Sequence, residues 1–136
     1  MTLFVDSSAL FAAANQRDRH NERARAVLSS GEPLVTTDHV LVETWLLANA
    51  RLGLAIADRV WDGVRHSTPI EPVLAADLET AWQIGHAFAD QAFSIVDRTS
   101  FAVMQRLGIF RAATFDEDFA IFRFGRDRSR AFEIVA

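Results

Sequence analysis

Leu3-Phe4-Val5-Asp6-Ser7-Ser8-Ala9-Leu10 is the stretch on which the fold turns: a short apolar run stops on a carboxylate and gives way to small residues. The pattern returns in Phe93-Ser94-Ile95-Val96-Asp97 and in Ala112-Ala113-Thr114-Phe115-Asp116. Read as strands, the three runs deliver aspartates to the carboxyl edge of a parallel sheet, where α/β proteins bind their ligands. Like charges gathered there repel one another unless a cation sits among them, and hard divalent cations prefer oxygen ligands of this kind.

The rest of the chain supplies the helices such a sheet needs. The first strand, residues 3–5, leads into a helix at 8–14, and a polar-faced helix at 19–28 stops at Ser29-Ser30-Gly31. Pro33 opens a strand at 34–36. Asp38 is placed to cap a helix at 39–52, with Gly53 as its stop. A further helix fills 55–65. The segment Thr68-Pro69-Ile70-Glu71-Pro72 suits a loop with a short extended piece, because a residue before proline is pushed out of the helical region. A long helix at 75–89 follows, then one from Asp97 to Leu107 stopped by Gly108, and strands at 111–114 and 132–135. Strands alternating with helices at this spacing predict an α/β fold, a central parallel sheet of four or five short strands covered on both faces.

At 136 residues, half of them hydrophobic and 24% charged, the chain has the balance of one globular domain with a buried core. It contains no cysteine, which excludes disulfides, thiolate metal sites and cysteine nucleophiles. The N-terminus carries no basic segment and Asp6 interrupts its apolar stretch, so no export signal is read there. The apolar runs are too short to span a bilayer, and a cytoplasmic location is expected. A net charge of −4 argues against overall attraction to nucleic acid, yet all 14 basic residues are arginine, the better bidentate partner for phosphate.

Each aspartate alone has a plain explanation: Asp6 and Asp97 as helix caps, Asp116 and Asp118 as turn formers. Glu43 changes the balance. On the 39–52 helix its neighbours at helical spacing are Val40, Leu46, Leu47 and Ala50, which places it away from a solvated face. An ionised carboxylate in apolar surroundings must be paired or hold a metal. The chain has no lysine and Arg51 lies two turns away; a distant arginine is the structural alternative, and counted with Asp6, Asp97 and Asp116 metal ligation is the expectation.

Four segments in order, Val5-Asp6-Ser7-Ser8-Ala9-Leu10, residues 37–43, Ser94-Ile95-Val96-Asp97 with Ser100-Phe101-Ala102-Val103-Met104, and Thr114-Phe115-Asp116-Glu117-Asp118-Phe119, resemble the PIN-domain nucleases. Within these, the chain is similar to the VapC-type ribonuclease toxins of toxin–antitoxin pairs, and Asp18-Arg19-His20 with Ala24 fits the family's second helix. The resemblance implies a three-layer α/β/α fold, Mg²⁺ or Mn²⁺ dependence and hydrolysis of RNA. It puts Asp6, Glu43, Asp97 and Asp116 on the family's acidic quartet and Asp118 on an accessory acid. It puts Ser7 and Ser100 on small hydroxyl positions near the metal. It also implies a homodimer and a cognate antitoxin covering the acidic cleft. The Arg126-Asp127-Arg128-Ser129-Arg130 stretch departs from the pattern as a longer tail.

The chemistry is coherent on its own terms. Carboxylate-held Mg²⁺ can neutralise a phosphodiester, activate water and stabilise the leaving oxygen. Asp6 and Asp97 are the first choice as direct ligands, with Glu43 and Asp116 completing the site. Arg98, beside Asp97, is a candidate phosphate contact. His20, His39, His66 and His86 read as surface residues, and Phe88, Phe93, Phe101 and Phe110 as core. Phe119, Phe122 and Phe124 are candidates for base stacking or an apolar partner surface. An aspartyl-phosphate phosphatase is disfavoured because Ser8 stands where that chemistry wants a second aspartate. A receiver domain is disfavoured by the absence of lysine. An inactive interaction module of the same fold would have lost quartet members, and all four are present.

Overall fold

The computed structural model describes residues 1–136. Its centre is β1 (Leu3–Val5), three residues with no exposed surface. β1 lies between β2 (Leu34–Thr37) and β4 (Arg111–Ala113), pairing Phe4 with Val35 on one side and with Ala112 on the other. β3 (Ile70–Glu71) and β5 (Glu133–Ile134) are the edges, giving the order β3-β2-β1-β4-β5, all parallel. A parallel sheet needs helices on both faces, which is why the central strand is apolar throughout instead of alternating.

The helices are α1 (Ser7–Ala14), α2 (Asn21–Leu28), α3 (Asp38–Leu52), α4 (Leu54–Ser67), α5 (Ala75–Ala87), α6 (Ile95–Leu107) and the single turn α7 (Asp118–Ile121). α3 and α4 pack as a pair around Ala48 and Ala57, joined at Gly53, whose φ of 93° suits a residue without a Cβ. α5 and α6 form the second large pair. Gly108 ends α6 in the left-handed conformation, as a C-terminal glycine should.

Two local expectations are corrected. Phe93 to Asp97 is not a strand: Ser94 caps α6 by accepting the Asp97 N–H at 3.1 Å, so Asp97 lies in the first helical turn. The hydroxyl of Ser94 and the acid three residues later form a helix start, and this outweighed the β-branched Ile95-Val96 pair. Likewise Thr37, not Asp38, caps α3, accepting the Val40 N–H at 3.0 Å. Asp38 instead accepts from the amides of His39 and Val73.

One aromatic cluster fills the core. Phe101 stacks on Phe122 at 4.4 Å and meets Phe119 edge-on at 4.9 Å, while Phe122 also contacts Phe88, Phe93 and Phe132. Phe119, Phe122 and Phe124 are therefore buried packing residues, unavailable for base stacking or a partner surface. No helix is long and apolar enough to cross a membrane.

Candidate metal centre

Asp6 follows the last residue of the central strand and caps α1. β4 runs beside β1, so the turn after it carries Thr114, Asp116 and Asp118 alongside. Asp97 comes from the first turn of α6 and Glu43 from the second turn of α3. The five acids of the sequence reading converge in two trios that share Asp97: Asp6, Glu43 and Asp97, and Asp97, Asp116 and Asp118. Within each trio one carboxylate oxygen per residue lies within 4.8 Å of the others.

Hydroxyl groups hold the carboxylates in place. Ser8 and Thr114 each donate to Asp6 Oδ2 at 2.9 Å. The same oxygens accept backbone N–H groups, Ser8 from Phe115 at 2.9 Å and Thr114 from Asp116 at 3.0 Å. Each hydroxyl has one proton, and both are spent on a single carboxylate oxygen. Asp6 Oδ1 has only the long 3.5 Å contact from Ser7, whose hydroxyl also bonds Glu43. Asp116 accepts the Asp118 N–H at 2.9 Å, which fixes the turn leading into α7.

Burial and mutual repulsion favour the protonated acids. Asp97 is pushed up to about 9, first by burial and then by the charges of Asp6 and Asp116. Asp6 rises to about 6, again chiefly by burial, against the lowering effect of the Ser8 and Thr114 hydrogen bonds. Asp118 is also raised, by burial and by Asp116.

The donor set is entirely carboxylate and hydroxyl oxygen, which suits a hard divalent cation and not a soft one. A second observation agrees. Ser100 Oγ, one turn beyond Asp97 on α6, is the buried side-chain polar atom without a partner in the chain. A buried hydroxyl in that position calls for a partner from outside, as an ion's hydration water would supply.

Of the residues singled out in the sequence, Ser7 joins the cluster through Glu43. Arg98 is turned away: its Nε donates to the Phe93 carbonyl at 2.9 Å, and its guanidinium lies so close over Gly85 that a Cβ there would overlap it. Glu43 is half-buried and its neighbour Leu46 is 57% exposed, so the expected apolar enclosure is one-sided. Arg128 lies over Phe88 and Arg130 over Phe110, so two arginines of the tail face aromatic rings. His20 stacks on Phe115 and is half-buried, unlike the surface residue expected. Ser8 and Thr114 were missed, although a hydroxyl two residues after Asp6 and another two before Asp116 were visible.

Comparison with known proteins agrees with this arrangement. Residues 3–125 match the PIN domain. The chain is 40% identical over 121 residues to the 23S rRNA-specific endonuclease VapC20 of Mycobacterium tuberculosis, spanning 87% of this chain and 92% of that one. The crystal structure of M. tuberculosis VapC20, described as a sarcin–ricin loop cleaving toxin, superposes with a TM-score of 0.83 at 36% identity, covering 88% and 93% of the two chains. VapBC2 from Rickettsia felis, bound to a DNA fragment from its promoter, shares the fold at a TM-score of 0.69 and 10% identity, covering 98% and 97%.

Proposed function

The chain belongs to the PIN-domain family, in its VapC-type branch, and on that premise we propose that it is a Mg²⁺- or Mn²⁺-dependent endoribonuclease toxin acting on ribosomal RNA as one nuclease domain. The observation that carries this reading is the convergence of Asp6, Glu43, Asp97, Asp116 and Asp118 from four separate elements onto two oxygen trios.

In this reading Asp6, Glu43, Asp97, Asp116 and Asp118 would hold the cation, Asp97 belonging to both trios. A cation held there would neutralise the scissile phosphodiester and make water a better nucleophile. The protein's own part is to fix the carboxylates: Ser8 and Thr114 hold Asp6 Oδ2, which leaves Oδ1 as the ligating oxygen, and Ser7 orients Glu43. Ser100 would meet the hydration shell. Asp97 and Asp6 retain protons at pH values where ordinary aspartates have lost them, so cation binding displaces protons and strengthens as pH rises. Arg98 is assigned to holding the loop before α6, and not to the substrate.

The partners follow from the same reading. A cognate antitoxin would cover the acidic cleft, and a groove of about 350 Å³ lined by Asp38, His39, Val42, Glu43, Leu46 and Val96 adjoins it. The protein would act in the cytoplasm as a homodimer. Leu78 and Trp82 on α5, with Leu74 just before it, are exposed and supply an apolar strip for a second copy.

The test is direct. Partner-free protein should cleave 23S rRNA with Mg²⁺ or Mn²⁺ and stop with a chelator. Asp6→Asn and Asp97→Asn should lose cleavage while keeping the wild-type circular dichroism spectrum. Full activity in either variant would remove that carboxylate from the mechanism.

A further inference from the structure

An acidic cleft in a chain of net charge −4 must still admit a polyanion, and phosphate recognition needs a cation at its rim. Many of the arginines are committed elsewhere. Arg106 is paired with Glu71 and Asp77, and Arg111 with Glu32 and Glu133. Arg98 is bonded to the Phe93 carbonyl, and Arg128 and Arg130 lie over aromatic rings.

Arg19 is placed differently. It sits in the loop between α1 and α2, exposed, with Nε donating to His20 Nε2 at 3.1 Å. The His20 ring lies flat on Phe115, with centroids 4.2 Å apart and planes 6° from parallel. Phe115 is the residue between Thr114 and Asp116, and its amide is bonded to Ser8, which also holds Asp6. A three-member relay therefore connects the Arg19 guanidinium to the turn that carries two of the acids. The loop itself is built to hold still. Asp18 Oδ1 accepts the His20 N–H at 2.8 Å, and Asn21 Nδ2 donates to the Ala12 carbonyl at 2.8 Å, tying the start of α2 to the end of α1.

Packing alone accounts for His20 on Phe115, but not for the second contact. With Nε engaged by His20, the guanidinium is held while Nη1 and Nη2 make no bond within the chain. Those two groups are the end-on fork that grips a phosphate. We propose that Arg19, held by the His20–Phe115 stack, binds an RNA phosphate flanking the scissile one, with His20 as its positioning residue. The assignment rests on the nuclease reading above. It gives the cleft the cation that its own carboxylates lack, tied through His20 and Phe115 to the turn that carries Asp116.

The test is steady-state cleavage of a fluorescein-labelled hairpin RNA, copied from the sarcin–ricin loop of 23S rRNA, by the full-length chain with Mn²⁺ at several salt concentrations. Loss of one charge-assisted phosphate contact in Arg19→Ala should raise KM about tenfold and leave kcat within about twofold. The slope of log KM against log salt should fall by about 0.7, one contact's worth for an unpaired strand. Arg19→Lys should recover part of KM, since it keeps the charge without the fork. His20→Phe keeps the stack but removes the Nε2 acceptor, so it should melt like wild type and shift KM in the direction of Arg19→Ala. A purely structural loop would instead lose stability in His20→Phe or lower kcat, with the salt slope unchanged, and either result overturns the proposal. If wild type cleaves and Arg19→Ala matches it in KM and salt slope, this inference alone falls. If wild type cleaves no RNA, the nuclease reading falls with it.

Discussion

Asp97→Asn should make the metal-free protein more stable while abolishing cleavage, and the size of the gain should depend on pH. Asp97 is 4% exposed, and its carboxyl is pushed from 3.8 up to about 9 by burial and by Asp6 and Asp116. A raised carboxyl pKa means that the folded state binds a proton the unfolded state has released. Stability therefore falls as pH rises, starting near 3.8 and levelling off near 9. At pH 7, about 1.4 kcal/mol per unit across that interval amounts to a penalty of about 4 kcal/mol. Asparagine is neutral at every pH and nearly the same shape, so the variant escapes the penalty, a gain on the order of 10 °C in Tm. At pH 4 the two proteins should melt together. Asp6, raised to about 6, adds a further fall confined to the range between 3.8 and about 6, and this should persist in the variant. Metal narrows the gap: Mn²⁺ at about 100 times its Kd should stabilise wild type by about 2.7 kcal/mol, and the variant much less. Melts followed by circular dichroism from pH 4 to pH 9, with chelator and with Mn²⁺, measure all of this. A stability difference that does not change with pH, or equal metal responses in both proteins, would refute the electrostatic reasoning and leave Asp97 a residue of the α6 start and nothing more.

Thr114→Val should cost about 1–3 kcal/mol, because it strips a hydrogen bond from buried Asp6 and leaves the Asp116 N–H without its acceptor; chemical denaturation checks the stability and metal titration the expected loss of affinity. Gly85→Ala should destabilise by about 1–3 kcal/mol by expelling the Arg98 guanidinium, and the double variant Gly85→Ala with Arg98→Ala should lose less than the two singles added together. Phe122→Ala should cost about 3–5 kcal/mol, since its ring touches Phe88, Phe93, Phe101 and Phe132; a milder loss in urea melts would mean that the aromatic cluster closes over the cavity.

Much of the fold was legible in the chain, and so was the acidic composition of the site. Apolar runs and glycine stops are local signals, spelled by residues a few positions apart, and they placed the helices within a few residues of where they lie. Asp6 was correctly read as a strand-end acid because an apolar run ending on aspartate carries its geometry with it, whereas Asp116 lies three residues past β4, in the turn into α7. The error at Phe93-Ser94-Ile95-Val96-Asp97 shows the limit of that logic. Two β-branched residues imitate a strand, and the Ser94 cap that starts α6 outweighs them.

What the sequence determined by itself is which elements form and that carboxylates end or begin several of them, since backbone propensity and capping are short-range. Tertiary structure alone decided which oxygen atoms meet. Ser8 and Thr114 are 106 positions apart, and nothing local announces that both protons fall on one oxygen of Asp6. Arg98 beside Asp97 read as a substrate contact until the notch at Gly85, on another helix, drew its guanidinium away. His20 read as a surface residue until β4 brought Phe115 beneath its ring. Each of these depends on side-chain direction across packed elements, and a difference of a few ångströms there separates a ligand from a bystander.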